Sequence, residues 1–153
     1  MKVVKFGGSS LASATQLEKV FNIVKEDETR QYVVVSAPGK RNAEDTKVTD
    51  ALIKYYKEYT NGKDTSQSQE WIINRYRSIT EELDLNEEII EEIARDIMSL
   101  ATLPKSDNTF LYDTFLAAGE NNNAKLIAAY FVKKGLEAKY IHPKDAGIFV
   151  TSE

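Results

Sequence analysis

The stretch Lys2-Val3-Val4-Lys5-Phe6-Gly7-Gly8-Ser9-Ser10 holds a strand, a tight turn and the start of a helix in quick succession. Val3 and Val4 are β-branched and suit extended backbone. Gly7 and Gly8 lack a Cβ, so the chain turns sharply there and an anionic ligand can come close to the amides. The first N–H groups of the helix that follows have no acceptor within it, and its dipole favours negative charge. Lys5, at the strand's end, supplies the compact cation a phosphate needs. The functional reading is a phosphate cradle. It is not the Walker loop, whose lysine follows the glycines, and it lacks the third glycine of the dinucleotide fingerprint. On these residues alone, an ordinary strand-to-helix turn that uses two glycines stays open.

A chain of 153 residues makes one domain or a large piece of one. Its 42% hydrophobic and 10% aromatic residues are enough for a core. The net charge is −4 and the basic residues are dispersed, which argues against nucleic acid as a partner. There is no cysteine, which removes disulfides, thiolate chemistry and cysteine-based zinc sites together. His142 is the only histidine, so a histidine-rich metal site or a Ser-His-Asp triad has little to build on, and no metal ligands are assigned. Neither a signal region nor an apolar run of membrane-spanning length is present. The expectation is a soluble, cytoplasmic domain that does not enter a membrane.

The first strand is read over Val3–Phe6. Leu17, Val20, Phe21 and Val24 recur at helical spacing and predict a helix over about 14–27. Gln31–Ser36 is a second strand whose near-continuous apolar run predicts burial on both faces, as in a parallel sheet. Strand, helix, strand makes a βαβ unit. Ala37-Pro38-Gly39-Lys40-Arg41-Asn42 turns the chain at the carboxyl edge, where open α/β sheets bind ligands. Further helices are read around Leu52–Tyr56, Trp71–Ile79 and Asn86–Leu100. Phe110–Ala118 and Ala124–Lys133 are predicted as two helices separated by Gly119-Glu120-Asn121-Asn122-Asn123, with Gly135 as a C-cap. Glu137–Ile141 is a third strand, closed by His142-Pro143. No continuation of it is evident, and Phe149-Val150 is no more than an apolar pair. Three strands are too few for a complete doubly wound domain, so the expectation is an incomplete one.

Three places carry polar groups that a parallel sheet would gather on one edge: Lys5 with Gly7, Gly8 and Ser9; Ser36 with Thr49-Asp50; and Gly119-Glu120. Glu120 could hold an ammonium by a charge-assisted hydrogen bond, or be a helix-terminal carboxylate in solvent. Thr49 could present its hydroxyl to a carboxylate or N-cap the helix, and Asp50 could be a first-turn acid. Ser36 is a ligand contact or a turn former. Lys40-Arg41 could clamp an anion, although adjacent basic residues in a loop are commonly just solvated. Tyr55, Tyr56 and Tyr59 read as packing, the Glu87–Glu92 run as a solvated helix face, and His142 as structural or surface.

Taken together, Val4–Ser10, Val33–Ala37, Val48-Thr49-Asp50 and Gly119-Glu120 before a helix ending at Gly135 resemble the amino-terminal part of aspartate kinases, within the amino-acid kinase family. The resemblance implies an α/β fold, an αβα-layered amino-acid kinase-like architecture with a mainly parallel sheet. Residues 1–153 would be the amino-terminal portion of that domain, without its nucleotide-binding half and without regulatory domains. It also implies transfer of the γ-phosphoryl group of ATP, bound with Mg2+, to the side-chain carboxylate of L-aspartate, the step that opens lysine, threonine and methionine synthesis. On that reading Lys5 is catalytic, Lys5, Gly7, Gly8 and Ser9 bind the ATP phosphates, and Ser36, Thr49 and Glu120 bind the substrate. Asn122 and Asn123 depart from the family, which usually has serines there. The truncated span predicts little activity for the fragment alone and an exposed sheet edge on which a homo-dimer could form. Other amino-acid kinases, acting on glutamate or acetylglutamate, and a non-catalytic homologue that binds a partner or a metabolite are the competing readings.

Overall fold

The computed structural model describes residues 1–142 and 147–152, the last six as backbone. The chain runs β1 (Lys2–Phe6), a 3-10 turn (Gly8–Leu11), α1 (Ala14–Lys25), β2 (Arg30–Val35), α2 (Val48–Thr60), α3 (Ser66–Glu82), α4 (Glu87–Ser99), a second 3-10 turn (Leu100–Thr102), α5 (Asn108–Lys133), β3 (Glu137–Ile141) and β4 (Gly147–Ser152). The strands form one sheet in the order β1-β2-β4-β3. β1 and β2 pair in parallel, with Lys5 beside Val34 and Phe6 beside Val35. β4 is antiparallel to both β2 and β3. Three strands therefore run one way and β4 runs against them.

β4 corrects the reading that the third strand has no continuation. The apolar pair Phe149-Val150 belongs to a strand that inserts between β2 and β3, where Phe149 pairs with Val33 and Tyr140. Pro143, expected to close β3, lies outside the described residues. The burial of β2 is a second correction. Val33 and Val35 are buried, but Tyr32 is 37% exposed, and Val3, its neighbour on β1, is 65% exposed. Helices cover one face of this part of the sheet. The run of β-branched residues therefore reflects extended-chain preference rather than two covered faces.

The helices form where caps and apolar stripes coincide. Ser13 caps α1 by accepting from the Gln16 amide, Asn86 caps α4 through Glu88, and Asp107 caps α5 through Phe110. At the end of α5, Gly135 adopts φ +93°, and the amides of Gly135 and Leu136 donate to the carbonyls of Val132 and Phe131. This is a Schellman closure that favours a residue without a Cβ.

The main departure is α5, a single unbroken helix running through residues 119–123, where a break was expected. It forms the centre of the helical layer and packs against β2, β3, β4, α2 and α4. A helix surrounded by protein needs no polar face, so its apolar residues show no one-sided stripe. Phe115 is fully buried and lies against Tyr55, Tyr56 and Tyr59, which bears out the packing role of those tyrosines. Burying a ring of that size stabilises the fold by about 2 kcal/mol.

Candidate functional site

The site begins where β1 ends. Gly7 is extended, at φ −87° and ψ 171°, and a Cβ built there would meet nothing within 4 Å. Its backbone does not require glycine; what glycine leaves is open space above the chain. Gly39 is the opposite case. A Cβ there would lie 2.4 Å from the Gly8 carbonyl carbon and 2.7 Å from the Ser9 nitrogen. The Gly39 amide donates to the Gly8 carbonyl at 2.8 Å, so the loop after β1 and the loop after β2 interlock backbone to backbone. Two further bonds hold the frame: the Ser36 amide to the Phe6 carbonyl, and the Val48 amide to the Pro38 carbonyl.

These loops enclose a cleft of about 470 Å3 lined by Gly8, Ser9, Ser36, Ala37, Pro38, Gly39, Lys40, Lys47 and Thr49. Four residues singled out in the sequence, Gly8, Ser9, Ser36 and Thr49, therefore meet at one place. Thr49 does not cap α2; Lys47 occupies the N-cap position, and the Thr49 side chain is left for the cleft wall. Asp50 is a first-turn acid of α2. The glycine pair opens a four-residue 3-10 turn, and α1 proper starts only at Ala14. The amides read as a cradle are thus those of one short turn, and the expected helix-dipole contribution at Gly7–Ser9 is not available, because α1 begins further on.

Lys5 lies outside the cleft lining and is exposed on β1. It stands close enough to Glu120 for its charge to favour the Glu120 carboxylate. Burial acts the other way and dominates, so the Glu120 carboxyl titrates above the usual range. Glu120 sits in the interior of α5 and not at a turn, which corrects the reading of it as a helix-terminal carboxylate in solvent. Gly119 explains how α5 comes so near. A Cβ there would lie 2.9 Å from both the Ala37 Cβ and the Leu52 Cδ1, so a larger residue at this point would make the helix or its neighbours shift.

Asn122 and Asn123 are fully buried. The Asn122 amide group donates to Asp96 at 2.7 Å and to the Ala118 carbonyl at 2.9 Å, and that of Asn123 to the Ser36 carbonyl at 2.8 Å. Asn123 thereby ties α5 to the cleft wall. The Lys40-Arg41 clamp does not form as a pair. Arg41 binds Asp45 through both its backbone amide and its guanidinium, while Lys40 alone lines the cleft. That partnership holds the Asp45 carboxyl well below the usual carboxylate range.

Sequence reasoning missed two residues. Lys47 brings a second cation to the cleft, and its only signal was its place just before Val48-Thr49. Arg75, on α3, is 3% exposed, and it donates to the carbonyls of Ala12 and Gly39 behind the cradle. Its spacing from Ile72 and Ile79 puts a charged residue on the apolar side of the helix, a signal that was legible.

Backbone amides, hydroxyls and two lysines around an open cleft suit an anion, and a half-buried carboxylate nearby suits a cation. Among the described residues no cluster of three or more His, Cys, Asp or Glu side chains could hold a metal ion. No helix among them is long and apolar enough to cross a membrane.

The chain is similar to known proteins in sequence and fold. The chain is 54% identical over 153 residues to aspartokinase 3 of Bacillus subtilis (strain 168), covering all of this chain and 34% of that one. The crystal structure of Clostridium acetobutylicum aspartate kinase superposes with a TM-score of 0.70 at 32% identity, over 85% of this chain and 29% of that one. Escherichia coli aspartokinase III, crystallised with aspartate and ADP, shares the fold with a TM-score of 0.70 at 24% identity, over 91% of this chain and 30% of its own. The chain thus spans about a third of the length of these relatives. The Amino acid kinase family model matches residues 1–153, and the chain belongs to that family.

Proposed function

We propose that this chain is the phosphate-cradle portion of an aspartate kinase. In the reaction, an oxygen of the L-aspartate side-chain carboxylate attacks the γ-phosphorus of ATP. The bond to the bridging oxygen breaks, ADP departs, and the product is the acyl phosphate 4-phospho-L-aspartate. The observation that carries the reading is the cleft that joins Gly8, Ser9, Ser36 and Thr49. The amides at Gly7, Gly8 and Ser9 cradle phosphate oxygens, and Lys5 neutralises charge on the transferring group. Such catalysis is mainly positioning and electrostatic stabilisation. Ser36 and Thr49 hold the aspartate, and Glu120 takes its ammonium.

The open space above Gly7 and the lysines at the rim fit an anionic nucleotide tail. Mg2+ would come bound to the nucleotide and would supply charge neutralisation at its phosphates. We assign residues 1–153 to the amino-terminal portion of the kinase domain, acting in the cytoplasm. The free edges of the sheet, β1 and β3, offer a pairing surface to a second copy; sedimentation would read a dimer against a monomer.

The test is a chimera in which this chain replaces the matching third of Bacillus subtilis aspartokinase 3, with the acyl phosphate trapped by hydroxylamine. Hydroxamate is expected with L-aspartate, and none with glutamate or acetylglutamate. The chain alone is expected to give none. A folded chimera that forms no hydroxamate with aspartate, or prefers glutamate, sinks the assignment.

A further inference from the structure

Helix α3 reaches both parts of the site with two adjacent residues. Arg75 is almost wholly buried, and the hydrogens of its Nη2 donate to the Ala12 carbonyl at 2.6 Å and the Gly39 carbonyl at 2.9 Å. Its Nε and Nη1 have no hydrogen-bond partner among the described residues, and Asp45 stands 4.0 Å from Nε. Tyr76 is fully buried, and its hydroxyl donates to the Gly119 carbonyl at 2.7 Å. Successive helix residues point about 100° apart, so one helix can grip two different elements from neighbouring positions.

Stability does not call for an arginine here. A buried cation with incomplete pairing is costly, and an apolar side chain of similar volume is commonly as stable or more so. An apolar side chain cannot hold two carbonyls from different loops. Ala12 ends the segment that starts at Gly7-Gly8, and Gly39 is interlocked with Gly8. Arg75 closes that ring from behind, and it leaves a fixed positive charge under a site shaped for an anion. Charge placed in low-dielectric surroundings acts more strongly than the same charge in water. Tyr76 grips α5 at the residue before Glu120.

We propose that Arg75 and Tyr76 are positioning residues: Arg75 holds the phosphate cradle in shape, and Tyr76 holds Glu120 at a fixed offset from it. The inference rests on reading Gly7–Ser9 as a phosphate site and Glu120 as the carboxylate beside it.

The test uses R75M, R75K and Y76F in the 153-residue chain, with pyrophosphate as the probe. R75M is expected to keep the thermal midpoint. Its Gly39 amide should exchange with solvent about tenfold faster, and its pyrophosphate affinity should fall about tenfold, the scale of lost charge-assisted hydrogen bonds. R75K, which keeps the charge, should recover part of the affinity. Y76F should leave both readouts alone and lower the pH at which the Glu120 carboxyl titrates, read by its carbon chemical shift. R75M with unchanged exchange and affinity overturns the role of Arg75, and an unchanged Glu120 titration in Y76F overturns that of Tyr76. Unfolding of both Arg75 variants would make Arg75 purely structural and also overturn the proposal. If the parent chain fails to bind pyrophosphate, the phosphate reading falls, while Gly39 exchange and the Glu120 titration still judge the brace.

Discussion

Around Gly7–Ser9 the backbone itself makes the site, whereas around Glu120 a side chain does, and each is held by different forces. The cradle consists of two loops whose glycines touch, Gly8 against Gly39, so its shape is set by main-chain contact. Glu120 rides on a continuous helix, and its place is set by how closely Gly119 lets that helix approach Ala37 and Leu52. Backbone contact has little slack. Packing against a leucine methyl group has some, because the side chain can move.

Substitution of the glycines should separate the two. The largest effect is expected for Gly39→Ala, whose Cβ would meet the Gly8 and Ser9 main chain at 2.4–2.7 Å. One loop must shift, at a cost of about 3 kcal/mol. Chemical denaturation would read it, and a loss below about 1 kcal/mol would mean that the loops are not interlocked as described. Gly119→Ala should cost less, about 1 kcal/mol, because overpacking against Leu52 and Ala37 is partly offset by the better helix propensity of alanine. A Gly119→Ala loss as large as that of Gly39→Ala would show that α5 is as tightly seated as the loops.

The carboxylates of the two regions should respond to pH with opposite signs. Asp45, paired with Arg41 beside the cradle, titrates below its ordinary value. Its contribution to stability is therefore present above the ordinary aspartate pKa, near 4, and is lost as pH falls below it. Glu120 titrates above its ordinary value because it is partly desolvated. Its contribution is present below the ordinary glutamate pKa and is lost as pH rises through the raised native value. In thermal midpoints measured from pH 3 to pH 8, Asp45→Asn should flatten the acid limb, and Glu120→Gln should remove a decline on the less acidic side. Identical pH profiles for Glu120→Gln and the parent would deny Glu120 its desolvated position.

The same contrast explains what was legible in the sequence. The glycine loops announce themselves locally: a β-branched strand, paired glycines and a lysine lie in one run, and the second loop follows a second apolar strand. α5 does not. Gly119 and three consecutive asparagines carry poor helix propensity and read as a break, yet tertiary packing overrides them. Asn122 and Asn123 are buried with their amide groups bound to Asp96, Ala118 and Ser36, partners that lie mostly far along the chain. β4 was hidden for a related reason: a strand inserted between β2 and β3 depends on partners the local run does not reveal. Thr49 and Ser36, both legible as candidates, line the cleft, but only the fold puts Lys47 beside them and Arg75 behind them.

The smallest change in stability is expected at Gly7, and it is the one that tests function most directly. Gly7 has φ −87°, which alanine adopts without strain, and a new Cβ there meets no atom within 4 Å. Gly7→Ala should therefore leave stability unchanged or raise it by about 0.5 kcal/mol, since alanine has less freedom to lose on folding. The methyl group would nonetheless stand in the open space that the proposed function gives to an approaching phosphate. Pyrophosphate binding, followed by the amide signals of Gly8 and Ser9, should weaken in a protein that is as stable as the parent. If Gly7→Ala binds as the parent does, the open space at Gly7 is not the path of the anion, and the cradle must be approached from the Lys40 and Lys47 side of the cleft.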